Sequence, residues 1–354
     1  MAMVNTAKAL AKQQAKQQGV ALITALLIFS LVAIAAVAMA DRQSLDIRRT
    51  ENLIHYDQAY MYALGAELFA AEVLANGDQD KNIDTLNPDI DPWNTELPPV
   101  PVDGGTIGGF IRDATARFPI NNMVDANGAR QPVYVNAFQR FVDYMTSGDT
   151  CGEQSSFNPD LSQVVVDWID KNEQVEVGGA EDMEYLSGER PYRTANQPMA
   201  SISELRSLKN LIAEEYNCFV GGGKNPPLIN TINDHEVPIN INTAPPAVIQ
   251  SIHNGIDDNL LQMLIENREE EPYKETSKFI EKIKKELFVE NDPEQRDEIE
   301  QFDKQMEQMN LSVGSQYYEV TSIAQIGRLQ VTVISLLKRD GNKITTLQRT
   351  IGTF

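Results

Sequence analysis

Residues 17–42 have the sequence QQGVALITALLIFSLVAIAAVAMADR. This apolar stretch predicts where the rest of the chain lies relative to a membrane. Residues 20–40 carry no charge, and at about 1.5 Å per residue they make a helix of ~32 Å, which matches the hydrocarbon core of a bilayer. Residues 1–19 contain lysines and no acid. A basic segment before an apolar span stays in the cytoplasm, so the sequence predicts one membrane span and an exported body.

Two kinds of export signal fit this N-terminus. An ordinary cleavable signal ends in small residues, and AVAMA at residues 36–40 is compatible with such a site. The junction of Gly19 with Val20 instead joins a basic leader directly to the apolar helix, and it resembles the class III signal of type IV pilins and pseudopilins. In that family a prepilin peptidase cuts after the glycine, the apolar helix is retained, and the new N-terminus carries a methylation. The resemblance implies that residues 1–19 are removed and that the mature chain begins at Val20.

The helical pattern continues beyond the membrane. Between Asp41 and Asn76 there is no proline, Gly65 is the one glycine, and apolar residues recur at helical spacing. An Asn-Gly pair then ends the helix. One helix from about residue 20 to 75 would be ~80 Å long. A helix that is half membrane span and half amphipathic is typical of a pilin spine, and a membrane anchor followed by an ordinary helix is the alternative.

Charge and composition argue against two classes of function. The net charge is −21, from 30 basic and 51 acidic residues, and such a surface repels the phosphate backbone of nucleic acids. Three histidines leave little material for histidine-dependent catalysis. Paired carboxylates could serve a glycosidase, but Trp93 and Trp168 are the only tryptophans and no sugar-stacking cluster is evident. We therefore predict a protein that is not an enzyme and has no nucleic acid partner.

Beyond the long helix the local patterns change three times. Residues 77–105 are rich in Pro and Asp and are predicted to be a loop. Residues 104–125 predict two short strands with a turn between them, and residues 131–220 are mostly helical in pattern. The C-terminal segment is β-rich, with a hairpin signal at Asp340-Gly341.

Two features belong to the helical block. Residues 201–217 predict one helix, which opens with a capping box made of Ser201 and Glu204. Cys151 and Cys218 bracket the block. Because the chain carries an export signal, a disulfide between them is favoured and would contribute roughly 4 kcal/mol, and two free buried thiols are the alternative.

Strands separated by a helical block predict an α+β protein. The expected architecture is a pilin-like fold, with a long N-terminal helix plus an antiparallel sheet, and a large inserted α-helical domain. The predicted parts are the cleaved leader (1–19), the transmembrane part of the helix (20–40), the first part of the head (41–124), the inserted domain (125–310) and the C-terminal strands of the head (311–354).

Residues 242–268 look like a helix-hairpin-helix unit with its turn at Gly255. In DNA-repair proteins such hairpins place backbone N–H groups and nearby cations on a phosphate. Here Asp257 and Asp258 stand where positive charge would be needed. A module that packs against protein is therefore the better interpretation, and DNA binding is the alternative.

The densest group of oxygen ligands lies in DWIDKNEQVEVGGAEDMEYL, residues 167–186. An EF-hand-like spacing, with relative positions 1, 3, 5, 7 and 12, is occupied by Asp170, Asn172, Gln174, Glu176 and Glu181. Side-chain oxygens of this kind suit a hard cation such as Ca²⁺. The turn glycine of an EF-hand is absent, however, so spacing alone leaves a solvated acidic loop as the alternative.

Two neighbouring segments extend this group. After the glycines at 178–179, Glu181 and Asp182 could turn back toward the first ligand. Downstream, PYRTANQP could add Thr194 or Asn196.

The full arrangement resembles the K-type minor pseudopilins of bacterial type II secretion. The segments that carry the resemblance are QQGVALITALLIFS, DQAYMYALGAE (57–67), LPPVPVDGGTIGGFIRDATARFPINN (97–122), DWIDKNEQ with GGAEDMEYL, PYRTANQPMASISELR (191–206) and NINTAPPAVI. In this order they span nearly the whole chain. The resemblance implies a pilin-like head, an inserted α-domain with a disulfide, and bound Ca²⁺. The ligands expected from it are Asp170, Asn172, Glu176, Glu181, Asp182 and Asn196.

The same resemblance implies partners and a place in the cell. Members of this family assemble with the minor pseudopilins I and J at the tip of the periplasmic pseudopilus, near other pseudopilins and the secretin channel. The expected localisation is the bacterial inner membrane, single-pass, with the C-terminal domain in the periplasm. The expected role is to initiate or cap the pseudopilus and assist export of folded proteins across the outer membrane. A minor pilin of a type IV pilus or a DNA-uptake pseudopilus is the alternative.

Thr24 is the fifth residue counted from Val20, where most pilins and pseudopilins carry Glu. That Glu pairs with the N-terminal amine of the subunit already assembled beside it and so neutralises a charge in lipid. A first subunit at the tip has no earlier neighbour, which would explain the missing acid. The alternative is that the Thr hydroxyl bonds back to its own helix.

Overall fold

The first element of the fold is one long helix, α1. In the computed structural model, which describes residues 2–76, 83–87, 91–147, 151, 157–188, 190–221, 226–289 and 292–352, α1 runs from Ala2 to Ala75. It is long and apolar enough to cross a membrane by length and composition, and its large apolar side chains over 22–39 are exposed. The helix expected from about residue 20 to 75 is therefore confirmed, and its backbone continues through the predicted leader.

The remaining elements alternate between short helices and strands. The further helices in the described part of the chain are α2 (Pro132–Ser147), α3 (Leu161–Ile169), α4 (Asp182–Leu186), α5 (Ala213–Val220), α6 (Pro246–Ser251), α7 (Asp258–Glu270), α8 (Thr276–Leu287) and α9 (Arg296–Gln308). The strands are β1 (Leu97–Val102), β2 (Gly105–Asp113), β3 (Phe118–Pro119), β4 (Ile229–Asn230), β5 (Ile239–Asn240), β6 (Leu311–Ser312), β7 (Tyr317–Ile326), β8 (Leu329–Asp340) and β9 (Lys343–Ile351).

The head is a five-stranded antiparallel sheet in the order β1-β2-β7-β8-β9. One face of the sheet packs on the C-terminal half of α1, where Ala59, Ala63 and Ala70 are buried. Because alanine is short, the helix backbone lies close to the sheet. The hairpin predicted at Asp340-Gly341 joins β8 to β9, and Gly341 has the positive φ of 58° that a two-residue hairpin turn requires.

The helical unit lies between β2 and β7 in sequence and has its own core. Its centre contains Phe138, Phe141 and Phe219, whose ring centroids lie 6.0–6.2 Å apart. Two short parallel pairings, β3 with β4 and β5 with β6, lie close to the points where the chain enters and leaves the unit. The long helix, antiparallel sheet and inserted helical unit confirm the predicted fold class. The domain limits at 124/125 and 310/311 stay predictions.

Strand β1 is a difference from the prediction, which made residues 77–105 a loop. Its three prolines, Pro98, Pro99 and Pro101, suggested irregular structure. A proline is tolerated in a strand whose N–H would face away from the sheet, and β1 is an edge strand.

Residues 104–125 contain one long strand rather than two that pair with each other. Strand β2 pairs with β1 and β7, and the 3₁₀ turn Ala114–Ala116 follows it. The two residues of β3 pair in parallel with β4, which lies more than a hundred residues later in the chain. The second predicted strand was therefore wrong in length and in partner.

The single helix predicted over 201–217 is divided in two. The capping box is confirmed: Ser201 accepts from the backbone of Ser203, and Glu204 accepts from the Ser201 N–H. The 3₁₀ helix that it opens ends at Ser207, and Asn210 has a left-handed φ of 62° before α5 begins. Asparagine adopts this conformation more readily than most residues, and the backbone there cannot continue a helix.

Candidate functional site

The acidic segment runs from the last turn of α3 through a loop to α4, and it buries three carboxylates. Asp167 is fully buried, and Asp170 and Glu181 are each 2 % exposed. Carboxylates are rarely buried without a partner that offsets their lost hydration. The two ends of the loop are therefore anchored in the protein by these buried carboxylates, while residues 171–175 between them are exposed.

Asp167 organises the loop and is a residue that the sequence analysis missed. Its carboxylate accepts from the backbone N–H of Glu176 at 3.1 Å, which closes the turn. A Cβ at Gly179 would collide with the same carboxylate, so a glycine is required there. The signal in the sequence was an acid inside the apolar run of α3, VVVDWI.

The predicted ligands in the first half of the loop already have partners. Asp170 accepts from the backbone N–H and the side-chain amide of Asn172, at 3.1 and 2.7 Å. Asn172 in turn accepts from the backbone of Gln174. Glu176 forms an ion pair of 2.9 Å with Arg130.

One buried oxygen at the end of the loop and another in the segment after α4 have no hydrogen-bond partner. Glu181 Oε2 accepts from the Thr194 hydroxyl at 3.2 Å, whereas Glu181 Oε1 is buried with no hydrogen bond. Asn196 Oδ1 is likewise buried with no hydrogen bond. Both oxygens of Asp182 are occupied, one by Thr194 and the other by Arg193 at 2.5 Å.

The buried carboxylates repel one another. Burial raises the pKa of Glu181 to about 7, and the charges of Asp167 and Asp170 contribute. Burial also raises the pKa of Asp170 to about 6, again with help from Asp167. Within the described residues no three His, Cys, Asp or Glu side chains converge on a ready-made metal cage. The structure thus gathers Asp170 and Glu181 into one negative cluster, while Asn172, Glu176 and Asp182 make other bonds.

The junction between the head and the inserted unit is a buried polar network. Arg117 forms a bidentate ion pair with Glu319 on β7, at 2.8 and 2.6 Å. Asp113, at the end of β2, accepts from the side chains of Asn240 and Thr243. One bidentate pair and the two bonds to Asp113 thus connect the sheet strands β2 and β7 to residues of the inserted segment.

Asp84 fixes the same region from the loop after α1. Its carboxylate accepts from the Ser315 N–H at 2.7 Å and the Tyr318 hydroxyl at 2.8 Å, and it forms an ion pair with Arg339. Burial raises the pKa of Asp84 in spite of the nearby Arg339 cation.

The helix-hairpin-helix unit is present as α6 and α7, and protein groups already occupy its backbone. The N–H of Gly255 donates to His253, and Asp257 caps α7 by accepting from Leu260. Arg140 on α2 donates to the Ser251 carbonyl at the end of α6. These contacts favour the packing role, and the absence of nucleic acid binding stays a prediction.

The predicted cleavage site lies within α1. The helix passes through Gly19 and Val20 without a break, and Thr24 is exposed on its surface. The predicted disulfide is confirmed: Cys151 and Cys218 are bonded to each other, with Cα atoms 5.5 Å apart.

Comparison with known proteins identifies the family. Models described as type II secretion system (T2SS), protein K, match residues 116–218 and 239–288. The type II secretion system protein K of Pseudomonas aeruginosa is 29% identical over 344 residues, covering 95% of this chain and 93% of the relative. That of Klebsiella pneumoniae is 31% identical over 234 residues, covering 65% of this chain and 68% of the relative.

A solved structure has the same fold. It is a chain from the crystal structure of the GspK-GspI-GspJ complex of the enterotoxigenic Escherichia coli type 2 secretion system, with a TM-score of 0.67 and 24% identity. The match covers 86% of this chain and 100% of that chain. With this fold and these relatives, the chain belongs to the type II secretion system protein K family.

Proposed function

We propose that the protein is the minor pseudopilin at the tip of the type II secretion pseudopilus. There it would initiate or cap assembly and assist export of folded proteins across the outer membrane, without being an enzyme. The observation that carries this proposal is the division of α1, which exposes an apolar half and buries the small side chains of its other half under the sheet. A spine of this form supports both a membrane anchor and a place in a helical fibre.

The inserted unit explains why the position would be the tip. It is large, and the ion pair of Arg117 with Glu319 and the bonds of Asp113 hold it in one orientation. A rigid unit of this size leaves no room for a second copy stacked above it. The energy for growth would come from an inner-membrane ATPase, so the role of this chain is mechanical.

We infer the partners from the related structure, whose chain was crystallised with GspI and GspJ. The expected partners are the minor pseudopilins I and J, with other pseudopilins, the secretin channel and the prepilin peptidase. The expected location is the inner membrane with the C-terminal domain in the periplasm. The Cys151–Cys218 disulfide supports an oxidising compartment for that domain.

The test of this function is assembly and secretion in cells. Deleting the gene should abolish secretion, and the full-length protein extracted from membranes should co-purify with subunits I and J. Mass spectrometry of the same preparation should find Val20 at the N-terminus. An unprocessed N-terminus, or co-purification with type IV pilus subunits alone, would favour the alternatives.

Thr24→Glu is expected to leave tip assembly and secretion largely unchanged. A first subunit has no earlier neighbour whose amine the acid would neutralise, so introducing the acid should change the stability of the assembly little. Secretion by cells that carry the variant in place of the wild type measures the effect. A severe defect would contradict the tip position, and Thr24→Ser is the matched control that keeps the hydroxyl.

We also propose that the acidic loop binds Ca²⁺. Glu181 Oε1 and Asn196 Oδ1 are buried oxygens without partners, and oxygen is the ligand that Ca²⁺ prefers. The Asp170 charge acts on Glu181, and the Asn196 N–H donates to the Trp168 carbonyl, two residues before Asp170. Asp170, Glu181 and Asn196 would hold the ion, with Asn172, Glu176 and Asp182 around them. When bound, it would supply the positive charge that offsets the repulsion between the buried carboxylates.

Calcium is expected to stabilise the inserted unit. At a free concentration 100 times its Kd it should raise the free energy of unfolding by about 2.7 kcal/mol, because it binds only the folded loop. Thermal unfolding followed by Trp168 fluorescence, with and without a chelator, measures this shift. Asp170→Asn and Glu181→Gln should remove the calcium dependence, whereas Glu173→Gln, an exposed acid of the same loop, should retain it. A calcium shift that survives in Glu181→Gln would exclude this residue as a ligand.

A further inference from the structure

The two edges of the head sheet are unlike. The β1 edge carries Pro98, Pro99 and Pro101, and a register shift between Leu97 and Val100 distorts it further. Prolines and bulges are the devices by which proteins prevent another strand from adding to a sheet. The β9 edge has no proline, is nine residues long, and is exposed along nearly its whole length.

Hydrogen bonds of neighbouring strands determine which backbone groups of β9 face outward. The Arg339 N–H on β8 donates to Gln316 on the β7 side, so its antiparallel partner Ile344 directs its N–H and C=O away from β8. The Gly352 N–H donates to the Thr332 carbonyl on β8, so the backbone N–H and C=O of the preceding residue, Ile351, point away from β8. By the same alternation the backbone N–H and C=O groups of Thr346 and Arg349 point away from β8, on the two sides of the bulge at Leu347.

We propose that the β9 edge receives an extended strand from the globular head of another pseudopilus subunit, so that the sheet continues into the neighbouring molecule. The occupant is a strand because a row of outward N–H and C=O groups is complementary to extended backbone and not to a helix. This inference rests on the proposed function, which supplies neighbouring heads.

Position and charge indicate which strand fits. Thr346 and Arg349 hold β9 against Glu67 of α1, so a subunit whose own spine packs beside α1 brings its head next to this edge. Residues 341–354 contain Lys343 and Arg349 and no acid, in a chain of net charge −21. Arg349 is paired with Glu67, so Lys343 is left to meet an acidic residue on the incoming strand. A second copy fits less well, because the inserted unit obstructs stacking.

Photo-crosslinking in cells that make the whole secretion system tests this pairing. A benzoylphenylalanine at Leu347, which is 50% exposed, should give an adduct whose partner peptide lies in a strand of another pilin-like subunit. The matched position is Val100, 41% exposed on the blocked β1 edge, and should give none. An adduct only with a second copy, only with a helix, or from both edges equally would overturn the proposal.

A backbone variant separates strand pairing from side-chain contact. Ile351→Pro removes an outward N–H, and Ile351→Ala removes the same side chain but keeps that N–H. Loss of one backbone hydrogen bond should reduce the adduct and the co-purified partner about fivefold in the proline variant and leave the alanine variant unchanged. Equal effects would refute backbone pairing, and Trp93 fluorescence reports whether the head is still folded. If subunits I and J co-purify but no β9 adduct forms, the inference fails and the proposed function stands.

Discussion

Arg117→Ala is expected to lower the free energy of unfolding by about 3–5 kcal/mol. The Arg117 guanidinium is 7 % exposed, and both of its bonds go to Glu319, whose side chain is 19 % exposed. Burial alone would raise the pKa of Glu319, and the Arg117 cation holds it below its ordinary value. Without that cation the largely buried carboxylate loses both hydrogen bonds from Arg117 and keeps only the weaker influence of the Arg112 charge. Denaturant unfolding of the full-length protein in detergent measures the loss.

The tryptophans separate the consequences for the two units. Trp93 belongs to the core of the head and Trp168 to the core of the inserted unit, so variants that retain one tryptophan report on one unit. In the wild type the two transitions should coincide, and in Arg117→Ala they should separate because the junction is weakened. Lys278→Ala is the control: its ion pair with Glu281 is 66 % and 68 % exposed, and its loss should cost less than about 1 kcal/mol.

A double variant keeps this prediction falsifiable. Replacing both partners, as Arg117→Leu with Glu319→Leu, removes the buried charge together with its counter-ion. The double variant should therefore recover much of the stability that Arg117→Ala loses. If it is as unstable as the single variant, the cost lies in packing rather than in an unpaired charge.

Local patterns were sufficient for the spine, the hairpin and the helical unit. The apolar run at 20–40, the Asp340-Gly341 turn and the capping box of Ser201 are each encoded within a few residues. Strand β1 was missed because its prolines are acceptable only at a sheet edge, and edge position is a tertiary property. The break at Asn210 was missed because asparagine is also tolerated within helices.

The candidate site likewise has features that the local sequence predicts and features that depend on tertiary contacts. Spacing identified the acidic loop, but it could not separate the oxygens that are occupied from those that are free. Arg193 and Thr194 donate hydrogen bonds to both oxygens of Asp182. No local rule predicts that Oε1 of the adjacent Glu181 has no hydrogen bond. The pair of Arg117 and Glu319 spans 202 residues and is invisible to any local pattern.

Glu67→Ala is expected to destabilise the head by about 3 kcal/mol. Glu67 lies on α1 with its side chain 3 % exposed, and its carboxylate accepts from Arg349, Ser335 and Thr346. These bonds connect the spine to β8 and β9. Burial raises the pKa of Glu67, and the hydrogen bonds from Arg349 and the two hydroxyls outweigh it and leave the pKa below the ordinary 4.5.

The pH dependence follows from that direction. A carboxylate with a lowered pKa contributes stability that is fully present above its unfolded pKa and is lost as the pH falls through its folded pKa. The difference in unfolding free energy between the wild type and Glu67→Gln should therefore be constant from neutral pH down to about 5 and shrink below about 4.5. Glu72→Gln, an exposed acid of the same helix, should differ little from the wild type at any pH.

The location of the effect distinguishes attachment of the C-terminal strands by Glu67 from stabilisation of the head as a whole. In the described part of the chain the Glu67 carboxylate bonds to β8 and β9, so its loss should lower the transition that Trp93 reports and leave the transition that Trp168 reports in place. Because β9 would be freed from the spine, amide exchange should accelerate over Lys343–Ile351 more than over β2. Equal acceleration in both strands would mean that Glu67 stabilises the head as a whole and does not hold its C-terminal edge in particular.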